Sequence, residues 1–147
     1  MILVDTSAWV EYDRATGSAA DQRLAALIAD EGALAVTEPV LMEVLAGARS
    51  ETRLEDLRRL LLRSALLRFD AVTDFDAATR IYRRCRQSAV TPRGMIDCMI
   101  VAVAHRSGAS LLSWDVDMYR VSQVIGIDLD AHHCGPDLRA GWSTNLS

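Results

Sequence analysis

"MILVDTSAWVEY", residues 1–12, runs a short apolar segment straight into a carboxylate. Met1 to Val4 has the character of a buried strand. Asp5 ends it, and Thr6, Ser7 and the apolar Ala8, Trp9 and Val10 follow at once. An ionised carboxylate beside a core costs several kcal/mol unless something compensates it. One compensation is local, since Asp5 can cap a helix beginning near Ser7. The other is functional, because the carboxyl ends of parallel strands are where α/β sheets collect ligands.

The rest of the chain alternates strand-like and helix-like segments. Ala20 to Asp30 carries Leu24, Leu27 and Ile28 at helical spacing and closes at Gly32. Leu34 to Val36 is a second apolar run, after which Thr37 and Pro39 open a helix that ends at Gly47. Leu54, Leu57, Leu61 and Leu62 form the apolar stripe of the next helix. Leu66 to Phe69 is expected as a strand and Asp74 to Gln87 as a helix. A very apolar helix from Gly94 to Ser107 stops at Gly108, and the strand Ala109 to Trp114 follows. Met118 to Ile125 is expected as a helix and Ile127 to Leu129 as a last strand. This alternation predicts an α/β fold, a three-layer α/β/α sandwich around a mainly parallel sheet. The domain is expected to span 1–130, leaving 131–147 as a C-terminal tail.

The chain has 147 residues, enough for one domain with a sizeable core. Its N-terminus lacks the basic and long apolar regions of a signal peptide, and no apolar run reaches the roughly 20 residues of a spanning helix. A cytoplasmic protein without membrane contact is the expectation. Cys85, Cys98 and Cys134 form no CxxC pair, so reduced, packed thiols fit better than a disulfide framework or a zinc site. The net charge of −4 argues against a protein that merely coats nucleic acid. All 16 basic residues are arginine; compositional bias explains that, and so does a need for phosphate forks.

Asp5 has company. Glu43 lies among Val40, Leu41, Met42, Val44 and Leu45, and Asp97 is the only charge in "GMIDCMIVAVA" (residues 94–104). Asp115 and Asp117 follow the strand "ASLLSW" (residues 109–114) as Asp5 follows the first. Each has an ordinary reading as a cap, a first-turn acid or a turn residue. Together, at one sheet edge, they would repel strongly unless protonated or bound to a cation. Carboxylate oxygens suit Mg²⁺ or Mn²⁺.

Competing motifs fail or stay weak. "DTSAW" (residues 5–9) begins like the D-x-S-x-S site of integrin-type adhesion domains, but position 9 is Trp. A phosphoacceptor receiver domain needs a lysine that this chain lacks. His132, His133 and Cys134 read as a loop near a terminus, and Ser7 has no histidine base. Arg80, Arg83, Arg84 and Arg86 crowd one predicted helix. They are either a solvated face paired with acids such as Asp76 or a phosphate track towards the acidic edge.

The ordered blocks "ILVDTSAWVEY" (2–12), "EPVLMEVLAG" (38–47) and "MIDCMIVAVAHRSGASLLSWDVDM" (95–118) resemble PIN-domain ribonucleases, especially the VapC toxins of toxin–antitoxin pairs. The resemblance implies an acidic pocket that binds Mg²⁺, or Mn²⁺ in its place, and cuts RNA, with transfer RNA as the lean. In that pocket Asp5, Glu43, Asp97 and Asp115 match the catalytic acids. Asp5, Asp97, Asp115 and the additional acid Asp117 are the metal ligands it suggests. Ser7 and Ser113 support them, and Arg93 matches a basic position that meets substrate in some relatives. Ser113 stands where threonine is common and Met118 where an aromatic is common. The resemblance further implies a homodimer and a VapB-type antitoxin partner. A PIN nuclease of RNA maturation and a non-catalytic PIN-like interaction domain stay open beside the toxin.

Overall fold

A computed structural model describes residues 1–130. Strand β1 (Ile2–Val4) leads into α1 (Thr6–Asp13) and α2 (Ala19–Ala29). Strand β2 (Leu34–Val36) is followed by α3 (Glu38–Ala46) and α4 (Glu51–Leu61), and β3 (Ala65–Leu66) by α5 (Thr73–Gln87) and α6 (Met95–Ser107). Strand β4 (Ser110–Leu112) and α7 (Val116–Ile125) complete the order.

The sheet is parallel, in the order β3-β2-β1-β4. The chain steps from β1 to β2 to β3 in one direction and then returns past both to place β4 on the far side of β1. Right-handed crossovers put the helices of these opposite steps on opposite faces. The packing largely agrees: α1 meets α2 and α3, and α3 meets α4, whereas α5, α6 and α7 pack on one another, with α3 also touching α6. The reversal makes the gap between β1 and β4 the topological switch point, where open α/β sheets hold their ligands. Asp5 and Ser113 end the two strands that border it.

Local chemistry explains the boundaries. Ser18 and Ser50 cap α2 and α4 by accepting from the backbone N–H groups of Asp21 and Arg53. Gly108 ends α6 in the left-handed conformation (φ 66°), which suits a residue without a Cβ. Leu3, Val4, Ala35, Val36, Leu111 and Leu112 are buried in the sheet, and Trp9, Leu24, Leu57, Ile100 and Val103 cover it.

Three expectations need correction. The third strand is Ala65–Leu66, not Leu66 to Phe69. It is an exposed edge pairing only with β2, and the chain leaves it once Leu67 N–H has reached Val36 O and Phe69 N–H the Glu38 carboxylate. Ile127 to Leu129 forms a single parallel bridge, Leu111 to Leu129, rather than a strand. Leu62 leaves the α4 stripe: it is the C-cap and 56% exposed, while Leu57 and Leu61 are buried. Cys85 and Cys98 are buried free thiols, as expected. Residues His132, His133, Cys134 and Trp142 lie outside the described residues.

Candidate active site

Asp5 caps α1 and stands buried at the switch point. Its Oδ1 accepts from Thr6 N–H at 2.7 Å, which caps α1. Its Oδ2 accepts from Ser7 Oγ and from Ser113 Oγ, each at 2.8 Å. The two hydroxyls are themselves held, because Ser7 Oγ accepts from Trp114 N–H at 2.8 Å and Ser113 Oγ from Asp115 N–H at 3.1 Å. With both lone-pair sides addressed in this way, the serine protons point at the carboxylate. Strands β1 and β4 are thus bolted together through Asp5 at the switch point. Even so, burial dominates and raises the Asp5 pKa against the pull of these donors.

Asp97 stands in the first turn of α6, half-buried. Its pKa is pushed up to about 7, first by burial and then by the charges of Asp5, Asp115, Glu43 and Asp117. The five acids from four separate segments therefore share one electrostatic environment. The helix N-terminus beside Asp97 favours its charge, but by no more than about 1 kcal/mol, and repulsion with desolvation wins.

Glu43 reaches the group from α3, where Val40 and Val44 turn to the core and Glu43 stays half-exposed on the flank. Its Oε1 accepts from Thr6 Oγ1 at 2.7 Å. Asp115 caps α7, its Oδ1 accepting from Asp117 N–H at 2.8 Å. Asp117 pairs with Arg93, whose side chain is 73% exposed, and with Arg120 at 3.6 Å. Sequence reasoning missed Thr6 and Arg120. A hydroxyl at the first position of α1 was the only signal for Thr6, and Arg120 looked like any helix surface residue. Thr6→Val, nearly isosteric, should lower turnover about tenfold with the melting temperature within 2–3 °C of wild type, because it frees Glu43 without opening a cavity. Equal turnover in steady-state assays would remove Thr6 from the working set.

The donor set fits a hard divalent cation. It is all oxygen and rich in carboxylate, and burial followed by the charges of its neighbours raises the pKa of one member, Asp97, to about 7. Among the described residues, no three of these acids are already drawn together as a coordination group. Asp5 has both oxygens turned to hydrogen-bond donors.

The PIN domain family matches residues 2–124. A VapC11 ribonuclease of Mycobacterium tuberculosis is 41% identical over 128 residues, covering 86% of this chain and 96% of the relative. This chain is a PIN domain of the VapC family. A VapC ribonuclease of Mycobacterium bovis matches with the same identity and coverage. Among solved structures, the VapBC2 complex of Rickettsia felis, bound to a DNA fragment from its promoter, superposes with a TM-score of 0.70 at 18% identity. The match covers 88% of this chain and 98% of that chain, and it supports the fold. No helix among the described residues of the PIN domain is long and apolar enough to cross a membrane.

Proposed function

We propose that this protein is a Mg²⁺-dependent endoribonuclease, with Mn²⁺ able to substitute, and the toxin of a type II toxin–antitoxin pair. The observation that carries the reading is the electrostatic convergence of Asp5, Glu43, Asp115 and Asp117 on Asp97 at the sheet's switch point. The likeness to VapC ribonucleases supports RNA as substrate, with transfer RNA the first class to test. The likeness to a VapBC complex supports a VapB-type antitoxin as partner. Cytoplasmic action as a homodimer belongs to the same reading, with 1–130 as the nuclease domain and 131–147 as its tail.

The residues divide the work by position. Asp5, Asp97, Asp115 and Asp117, the last engaged with Arg93 and Arg120, would hold the metal. When bound, it would supply polarisation of the scissile phosphate and a more acidic water. Glu43, tethered by Thr6, orients the attacking water and accepts its proton. Ser7 and Ser113 keep Asp5 fixed so that its carboxylate need not reorganise. Arg93 faces the substrate phosphate from the rim.

The test is cleavage of total RNA by purified protein with Mn²⁺, Mg²⁺ or EDTA, followed by sequencing of the ends. Discrete cuts bearing 5′-phosphate and 3′-hydroxyl ends, absent in EDTA, are expected. Binding of metal to the folded state should also raise stability by about 2.7 kcal/mol at a hundredfold excess over Kd, a melting shift of about 5–10 °C. Metal-independent cutting, or no cutting with Mn²⁺ present, would overturn the assignment.

A further inference from the structure

Beyond the acids, the α5 end of the molecule carries an unassigned cationic feature. Arg83, Arg86 and Gln87 line an open recess of about 300 Å³ near the end of α5. Their spacing, three and four residues apart, places them on one helix face. All three are exposed. Arg80 on the same helix is committed to Asp76, and what sets Arg83 and Arg86 apart from the other exposed arginines is that they share one recess. Among the described residues, neither Arg83 nor Arg86 has a carboxylate partner. Two guanidinium groups without a carboxylate partner, with an amide beside them, present several N–H donors to one open recess.

The recess lies at the same end of the molecule as the acids. Helices α5 and α6 are consecutive and packed together, so the end of α5 lies beside the start of α6, where Asp97 stands. The connecting segment is anchored at both ends. Val90 N–H donates back to Cys85 O at 2.8 Å, and Arg93 pairs with Asp117 of the acidic group. Arg93 lies seven positions after Arg86, which limits their separation to about 25 Å.

We propose that Arg83, Arg86 and Gln87 form a phosphate-binding recess that holds the backbone of single-stranded RNA a few nucleotides from the scissile bond. This rests on the ribonuclease reading above and adds to it where the strand lies. Guanidinium forks match phosphate oxygens in pairs, and such contacts carry no sequence information. The recess therefore fixes register, while the acidic group performs the cut. The acidic net charge of the chain is no obstacle, because the field that an RNA strand meets here is local.

The experiment compares wild type with Arg83→Gln/Arg86→Gln in two separate measurements. Binding of a mixed-sequence 16-nucleotide RNA is read by fluorescence anisotropy across a salt series, and cleavage is read with Mn²⁺. The expected result is about tenfold weaker binding and higher KM, with kcat and the Mn²⁺-induced melting shift unchanged. The slope of log affinity against log salt should be shallower by about 1.4, since each single-strand phosphate contact contributes about 0.7. Arg83→Lys/Arg86→Lys should recover most of the binding. Identical affinity and slope in a folded double variant would overturn the recess and leave the nuclease standing. Absence of cleavage by wild type would instead overturn the nuclease, with the anisotropy still deciding the recess. Unchanged RNA binding together with lost binding of a polyglutamate peptide would reassign the recess to an acidic protein segment.

Discussion

Asp97→Asn should reduce RNA cleavage by at least about 100-fold and, without divalent metal, make the protein more stable. The catalytic loss follows from removing a carboxylate from the centre of the acidic group, where even supporting residues are worth 10–100-fold. The gain in stability follows from the sign of the Asp97 shift. Its pKa is about 7 in the folded protein against 3.8 unperturbed, so between those values the unfolded chain binds fewer protons. Stability of the metal-free wild type therefore falls as pH rises from about 4 to about 7 and levels off above that. Asparagine does not ionise, so the advantage of the variant should grow across the same window. It should reach about 2 kcal/mol at pH 7.5, since a tenfold change in proton affinity corresponds to about 1.4 kcal/mol and the half-buried site keeps some solvent screening. Urea unfolding in EDTA at pH 5 and pH 7.5 measures it. Mn²⁺ should reverse the order, stabilising wild type strongly and the variant weakly. Equal Mn²⁺ shifts in the two proteins would remove Asp97 from the ligand set.

The acids were legible because charge is conspicuous where the chain is otherwise apolar. Asp97 stood alone in eleven residues, and Asp5 closed a strand. Helices α3 and α6 were legible for a similar reason, being punctuated by Thr37, Pro39 and Gly47 and by Gly94 and Gly108. What stayed hidden depended on partners distant in sequence. Strand β3 is two residues long and exists through its register with Ala35 and Val36, which no local pattern encodes. The arginines of α5 were legible in part: Asp76 holds Arg80, as one reading of the sequence had it, whereas the recess that gathers Arg83 with Arg86 needed the fold. Thr6 and Glu43 are 37 residues apart, and only the fold makes them neighbours.

Arg106→Ala should be strongly damaging although it lies far from the acidic group, costing about 3 kcal/mol. Asp74 looked like an ordinary first-turn acid of α5, yet its side chain is fully buried. Arg106, from the last turn of α6, donates to it with two nitrogens, Nε to Oδ1 at 2.9 Å and Nη2 to Oδ2 at 2.8 Å. The same Nη2 also reaches Arg68 O at 2.7 Å, and Asp70 N–H donates to Asp74 at 2.7 Å. One planar fork thus ties the segment leaving β3, the start of α5 and the end of α6. The Arg106 hydrogen bonds are the largest influence on Asp74 and lower its pKa. Breaking a buried pair from one side strands a charge at a cost of 3–5 kcal/mol, and the partial exposure of Arg106 places the loss at the lower end. For a chain of this length that is a melting decrease of about 6–12 °C. The pH dependence has a definite sign. A carboxylate whose pKa is depressed on folding contributes its full stability above the unfolded value of 3.8 and loses it as pH falls through the lower folded value. The gap between wild type and Arg106→Ala should therefore be constant near neutrality and shrink below about pH 4. Asp74→Asn/Arg106→Leu, which removes both charges, should recover part of the loss, because no ion is then left buried alone. Calorimetry from pH 3 to pH 7.5 decides it: a gap that does not narrow in acid would assign Arg106 to packing alone.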